Sequence, residues 1–367
     1  MVMKIKKTLL VSLVLFLSIV ILRTHGVGAQ ENLEVNSKEK KEVIDSIAKL
    51  LKDNYVFPDM GVKLGEYIIA KYKKGDYDNF NDVQKFSAQL TSDLQEVSKD
   101  LHLRVIFDPR EAKEQLYPKK FTDEELEAQR NWKLTLGQLQ NFGFENVKIL
   151  DGNIGYLKLT GFFSLENAGP TAVAAMNFLA NTFAVIIDLR ESGGGSPQMG
   201  QLLATYFLCK EPVLLNSIYT RVKDETNQYW SLPYVPGKRM TDTDVFLLTS
   251  KDTLSAPEGF AYMLQQQKRA TVVGETTRGG AHPGETKSIN ERFLLWIPMA
   301  TVIDPISKTN WEGVGVKPDI ETTKEQALIT AHIEALKKAI EKEKRNNIKA
   351  GLKGILEEIS KMKTDKK

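Results

Sequence analysis

The segment Thr241–Gln267, TDTDVFLLTSKDTLSAPEGFAYMLQQQ, constrains the chain most, because it demands a change of backbone geometry within a few residues. Val245–Leu248 form an apolar run with strand character, and Thr249–Thr253 interrupt it with small and polar residues. Beyond Ser255, Phe260, Met263 and Leu264 recur at three- and four-residue spacing, which predicts a helix. Pro257 suits the first helical turn, where its missing N–H costs nothing, and Glu258 suits the positive end of the helix dipole. A serine at such a strand-to-helix corner is held out from the backbone, with a helix N-terminus able to stabilise negative charge near its Oγ. An isolated serine there would be an ordinary N-cap. Partners elsewhere in the chain decide between the two.

With 367 residues, 42% of them hydrophobic, the chain can bury a sizeable core and is expected to form two domains. Residues 1–29 have the pattern of a secretory signal peptide: Lys4, Lys6 and Lys7, an apolar run Leu9–Leu22, and the small residues Val27-Gly28-Ala29. A run of that length is short for a membrane span, so cleavage and export, to a secreted or periplasmic location, are expected. These residues carry four basic side chains and no acid, so the remainder has a formal charge of −1 rather than +3. The basic bias belongs to targeting and does not point to nucleic acid. The single cysteine, Cys209, cannot form an internal disulfide and is expected to be a small buried hydrophobe in an apolar helix.

Taken in order, residues 30–107 read as a helical cap domain ending in a strand, with His102 at the junction. Residues 108–146 are a charged linker and a helix whose start, Thr122 to Glu125, has the spacing of a capping box. An α/β core is expected over 147–322, opening with a hairpin around Asp151-Gly152-Asn153. Within it the buried strand Phe183–Leu189 leads to Arg190-Glu191-Ser192-Gly193-Gly194-Gly195-Ser196 and a further helix. The glycines allow backbone N–H groups to face an incoming atom, while the dinucleotide and P-loop patterns are absent. Residues 323–367 read as helix, and Lys337–Lys367, with 11 basic and 5 acidic side chains, as a solvated or frayed tail.

A hydroxyl nucleophile needs a base, a group to orient that base, and N–H donors for the oxyanion. Of the four histidines, His25 falls in the signal segment and His332 in the C-terminal helix, where a surface role is expected. His102 and His282 remain as candidate bases. One cysteine and no H-E-x-x-H pattern give no support to a metal site, and no cofactor is expected.

Four motifs occur together: Ile186–Arg190 with Gly193-Gly194-Gly195, Leu248-Thr-Ser-Lys-Asp-Thr-Leu-Ser255-Ala256, Val273-Gly-Glu-Thr-Thr277, and Gly313-Val-Gly-Val316 with Pro318-Asp319. In this order they resemble the C-terminal processing (tail-specific) serine proteases. The resemblance is closest to the branch of tricorn core protease and interphotoreceptor retinoid-binding protein. It implies an α/β fold: a crotonase-like core of ββα units, here with an N-terminal helical cap and no PDZ domain. It also implies Ser255 as nucleophile, with Ala256 and Gly193 or Gly194 as the oxyanion hole. The position of the processing proteases' catalytic lysine is Gly280 here, so the resemblance passes the base to His102, as in the tricorn-like branch, with Glu312 assisting. His102 is flanked by Leu101 and Leu103, where that branch has a serine beside its histidine. His282 is the rival base, and Arg190 either binds a substrate carboxylate or braces the glycine loop.

The reading that follows is an exported serine peptidase acting on peptides or proteins through an acyl-enzyme. A binding module for a peptide or apolar ligand on the same fold, and ester hydrolysis or acyl transfer with the same serine, are the alternatives.

Overall fold

A computed structural model describes residues 33–364. The expected signal segment lies outside the described residues. Three helices, α1 (Ser37–Asn54), α2 (Pro58–Lys73) and α3 (Val83–Ser98), begin the described chain. They bury Val43, Ile47, Leu51, Leu64, Phe86 and Leu90, the apolar stripes read at helical spacing. Strand β1 (Arg104–Phe107) follows, then α4 (Pro109–Leu116) and α5 (Asp123–Leu139). The capping box of α5 is formed: Glu125 N donates to Thr122 Oγ1 at 3.2 Å, and Thr122 N to the Glu125 carboxylate at 2.9 Å.

The core is a six-stranded sheet in the order β12-β8-β7-β4-β3-β2, with β2 (Phe144–Leu150), β3 (Ile154–Leu159), β4 (Ala184–Asp188), β7 (Asp244–Thr249), β8 (Ala270–Gly274) and β12 (Ile320–Glu321). β2 and β3 form the predicted antiparallel hairpin, and β3, β4, β7, β8 and β12 run parallel. Strands buried on both faces explain the continuous apolar runs AVIID and DVFLLT. One face packs against α6 (Leu165–Leu179), α7 (Pro197–Thr205) and α8 (Ala256–Gln266), through residues such as Met176, Leu203 and Phe260. The loops that follow β4, β7 and β8 all lie at the carboxyl ends of parallel strands, the usual edge for a site in such a sheet.

Four features depart from the sequence reading. The C-terminal segment is neither solvated nor frayed: α9 (Ala327–Lys342) and α10 (Asn346–Thr364) cover the second face of the sheet, where Ala331, Leu336, Ala339, Leu352 and Ile359 join Ile186, Phe246 and Val273. The high lysine content occupies the outer face and obscures that stripe. His332 is buried in this layer rather than on the surface, and its Nε2 lies 2.8 Å from the Asp151 carbonyl at the β2–β3 turn. Cys209 is exposed, because α7 ends at Thr205 and the apolar run continues as a turn.

The fourth departure matters most for the site. Phe293–Pro298 (β10) pairs with β9 (Gly284–Ser288) and with β1, so part of the expected core sequence belongs to the helical unit. Phe293, Leu295 and Ile297 pack among Val43, Phe86 and Leu90. A second three-stranded sheet, β11-β5-β6, is built from β5 (Leu214–Thr220), β6 (Glu225–Trp230) and β11 (Ala300–Ile303). Its polar, exposed β6 strand carries no hydrophobic alternation to reveal it.

If the tail is part of the core, Leu336→Ala should lower unfolding free energy by about 2–4 kcal/mol in urea titrations. No measurable loss would mean that the tail does not contribute to the fold.

Candidate active site

Ser255 stands at the corner between β7 and α8 with φ +64° and ψ −123°, a backbone region rarely used by L-residues. The corner is held from three sides. Thr253 Oγ1 donates to the Leu189 carbonyl at 2.9 Å, Leu254 N to the Ser192 carbonyl at 3.1 Å, and Ser255 N to the Glu258 carboxylate at 2.6 Å. Glu258 is fully buried and also accepts from Thr277 Oγ1 at 2.5 Å, Gly279 N at 2.6 Å and Gly280 N at 3.0 Å. Burial pushes its carboxyl above the ordinary range, against the pull of these four donors. The Ser255-x-x-Glu258 spacing is the sequence signal for this contact, beyond the dipole role first read for it.

The glycine loop packs directly on the serine. A Cβ on Gly194, whose φ is +130°, would lie 3.5 Å from Ser255 Cβ. The Gly194 carbonyl accepts from Phe162 N at 2.9 Å, and Ser196 N donates to the Phe162 carbonyl at 2.6 Å, tying the loop to the end of β3. Gly193 N points back to the Thr160 carbonyl at 3.4 Å, whereas neither Gly194 N nor Ala256 N has a partner among the described residues. Arg190 faces elsewhere. Its guanidinium grips Asp188 at 2.8 and 2.6 Å and the Lys324 carbonyl at 2.5 Å, and its own carbonyl accepts from Ser250 Oγ at 2.5 Å. With Nε, Nη1 and Nη2 each bonded once, Arg190 braces the loops after β4 and β7, and it is absent from the cavity wall at Ser255.

Both candidate histidines reach that cavity, which has a volume of about 360 Å³ and also exposes Ser255, Ala256 and Gly280. His102 comes from the turn between α3 and β1 and brings Cε1 and Nε2 of its ring against Gly280: a Cβ there would be 2.7 Å from His102 Cε1, 3.2 Å from its Nε2 and 2.8 Å from Leu254 Cδ1. Its Nδ1 is buried without a hydrogen-bond partner, 4.0 Å from Glu312 Oε2. Burial holds its pKa below the ordinary 6.5, although Asp100 pulls it upward, so the ring is neutral at pH 7.

His282 is held differently. Its Nδ1 is 2.9 Å from Asp100 Oδ2, and its ring meets Phe57 edge-on at 5.3 Å. Asp100, nearly fully buried, also accepts from Tyr55 OH at 3.0 Å and, at its other oxygen, from His102 N at 3.1 Å. Glu312 Oε2 accepts from the backbone N–H groups of Ala281 and of His282, the latter at 3.0 Å. Desolvation, and then the neighbouring Asp100 charge, push Glu312 up to about 7. Asp100 and Tyr55 are the residues that sequence reasoning passed over. The Asp100-x-His102 spacing, typical of a carboxylate capping a turn, is the only local hint. Asp100, His282 and Glu312 bring their ligand atoms within 4.8 Å of one another. Each of these atoms has a hydrogen-bond partner among the described residues.

A strained serine at a helix N-terminus thus shares one cavity with a buried imidazole, beside N–H groups that have no partner among the described residues. Residues 153–322 match the family model described as Peptidase family S41, and residues 29–133 match the N-terminal domain of Peptidase_S41 in eukaryotic IRBP. The chain therefore carries a peptidase family S41 domain preceded by its N-terminal domain. Among similar curated proteins, Carboxyl-terminal-processing peptidase 2, chloroplastic, of Arabidopsis thaliana is 31% identical over 168 residues, 45% of this chain and 31% of that protein. Tail-specific protease of Haemophilus influenzae is 28% identical over 151 residues, 39% of this chain and 20% of that protein. The chain thus aligns with less than a third of either relative's length. A putative peptidase from Parabacteroides merdae shares the fold with a TM-score of 0.57 at 19% identity, covering 80% of this chain and 96% of the other. The photosystem II D1 C-terminal processing protease does so with a TM-score of 0.50 at 16% identity, covering 79% and 94%.

The contact between Gly280 and His102 gives a direct test. Gly280→Ala should displace the imidazole and slow reaction of Ser255 with a fluorophosphonate by on the order of 100-fold, measured well below the variant's own unfolding midpoint. Unaltered reactivity would show that the ring's seat on Gly280 is immaterial.

Proposed function

We propose that the protein is an exported serine peptidase in which Ser255 is the nucleophile and His102 its general base. The observation that carries this reading is the shared cavity: Ser255 from the sheet and His102 from the helical unit both line it with Ala256, and Gly194 packs on Ser255 from the glycine loop, the N–H groups of Gly194 and Ala256 having no partner among the described residues. His102, neutral at pH 7, takes the proton from Ser255 Oγ as the oxygen attacks a substrate peptide carbonyl. The Ala256 and Gly194 N–H groups hold the oxyanion, and Gly194 fits this role better than Gly193, whose N–H is turned to Thr160. The imidazolium returns its proton to the leaving amine, giving a Ser255 ester that water resolves by the reverse proton path. Glu312, across 4.0 Å from His102 Nδ1, stabilises the imidazolium as it forms. His282 acts as a positioning residue: its Nδ1 is committed to Asp100, which in turn holds the His102 backbone.

Peptides or proteins are the substrates this reading assigns, and nucleic acid has no place in it. Export rests on residues 1–29 and is tested by mapping the N-terminus of the mature protein.

Labelling of the mature protein by a fluorophosphonate probe tests the reading. Ser255→Ala should abolish labelling, and His102→Ala should slow it by roughly 100-fold or more. His282→Ala should retain a greater part of it, because His102 is still present. Well-folded wild type that takes no label would favour the ligand-binding alternative, and loss confined to Ser255→Ala and His282→Ala would transfer the base role to His282.

A further inference from the structure

Trp311 stands immediately before Glu312, in the loop between β11 and β12, and has no part in the reaction described above. It is buried and is one of the residues that line the cavity at Ser255. Its indole is held by α8. A Cβ on Gly259 would be 2.9 Å from Trp311 Cη2 and 3.3 Å from Cζ2, so the ring rests on the bare backbone of that helix. Tyr262, three residues further along α8 and on the same face, meets the indole with ring centroids 5.4 Å apart. From this seat Trp311 Nε1 donates to the Gly280 carbonyl at 2.9 Å.

Gly280 is therefore held at both ends of one residue. Its N–H donates to Glu258, and its carbonyl accepts from Trp311. These two groups belong to the two peptide planes that flank the residue, so holding both fixes its φ and ψ. A glycine has the widest choice of both angles, and here it supplies the surface that meets Cε1 and Nε2 of His102. A parallel link joins the same two loops, where Gly313 N donates to the Gly279 carbonyl at 2.9 Å.

Both grips on Gly280 originate in α8. Glu258 lies in its first turn, and the next residue, Gly259, seats the indole. The same helix begins at the Ser255 corner. The helix that presents Ser255 thus also sets the surface on which His102 lies, by a direct contact through Glu258 and an indirect one through Trp311.

We infer that Trp311 is a positioning residue, which carries the placement of α8 through its indole N–H to the Gly280 carbonyl and so holds the seat of His102. The inference rests on the peptidase reading for what His102 does, but what it asserts is where that ring is held. A tryptophan serving the core alone would lose stability on substitution and leave His102 as it is.

The test uses full-length mature protein with substitutions on the two sides of the contact. Trp311→Phe keeps an aromatic ring and removes the donor. Gly259→Ala keeps Trp311 and pushes its ring off α8, at a position where alanine suits the helix. Histidine-selective NMR follows the titration of His102, whose signals are identified by their loss in His102→Ala. In wild type the midpoint should lie below 6.5, because the ring is buried. In both variants it should rise towards 6.5 as the ring leaves its seat for water, the charged neighbours Asp100, Arg104, His282 and Glu312 being the same in all three proteins. Inactivation by ethyl methylfluorophosphonate, measured well below each unfolding midpoint, should slow by about tenfold in both. A wild-type His102 titration in the two folded variants would overturn the inference, and an effect confined to Trp311→Phe would overturn the link to α8. A raised midpoint with an unchanged inactivation rate would uphold the inference and count against His102 as the base. The titration needs no activity, so it decides the inference even if wild type takes no label, a result that would count against the peptidase reading instead.

Discussion

The buried carboxylate of Glu258 is the constraint on which the site depends. A carboxylate removed from water is tolerated only when its lone pairs are met, and this one takes donors from Ser255, Thr277, Gly279 and Gly280. Two of these partners are decisive. Through Ser255 N, Glu258 fixes the strained corner that presents Ser255. Through Gly279 N and Gly280 N, it fixes the loop after β8 that forms the seat of His102. One side chain in the first turn of a helix therefore couples Ser255 to the wall behind His102.

A second carboxylate pair does the same between the helical unit and the sheet. Asp100 joins Tyr55, the His102 backbone and His282, while Glu312 takes the backbone N–H groups of Ala281 and His282. His102 and Ser255 come from different units, so their separation is only as fixed as this junction. Pairing of β1 with β10 adds a mechanical link, because the strand following His102 is hydrogen-bonded to a strand that follows His282. Gly280 is where the two units meet: the absence of a side chain there leaves room for the His102 imidazole arriving from the helical unit.

Much of this was legible in the chain. The runs FAVIIDL and DVFLLT, with breaks rich in small residues, fix the parallel strands, and the Asp151-Gly152-Asn153 turn fixes the first hairpin. The Ser255 corner is legible from the switch of period alone. The N-terminal helices follow from their stripes. What escaped reading depends on distant partners. Nothing local tells that Phe293–Pro298 joins the helical unit, that Glu225–Trp230 is a strand, or that the lysine-rich tail closes the second face of the sheet. The same holds for Asp100, whose partners Tyr55 and His282 lie 45 and 182 residues away. Cys209 and His332 were misplaced because apolar composition and helix position were read without the point at which a helix ends or the surface it covers.

The central claim is that His102, supported by Glu312, activates Ser255. The most direct measurement is the pH dependence of the rate at which a fluorophosphonate inactivates the enzyme, in wild type and in Glu312→Gln. Glu312 titrates near 7 and assists only when ionised, while His102 must be neutral, so the wild-type rate should rise with pH through about 7. In Glu312→Gln the maximum rate should fall, and the rise should move below 6.5, the ordinary histidine value beneath which burial holds His102. An identical profile in the two proteins would contradict the claim.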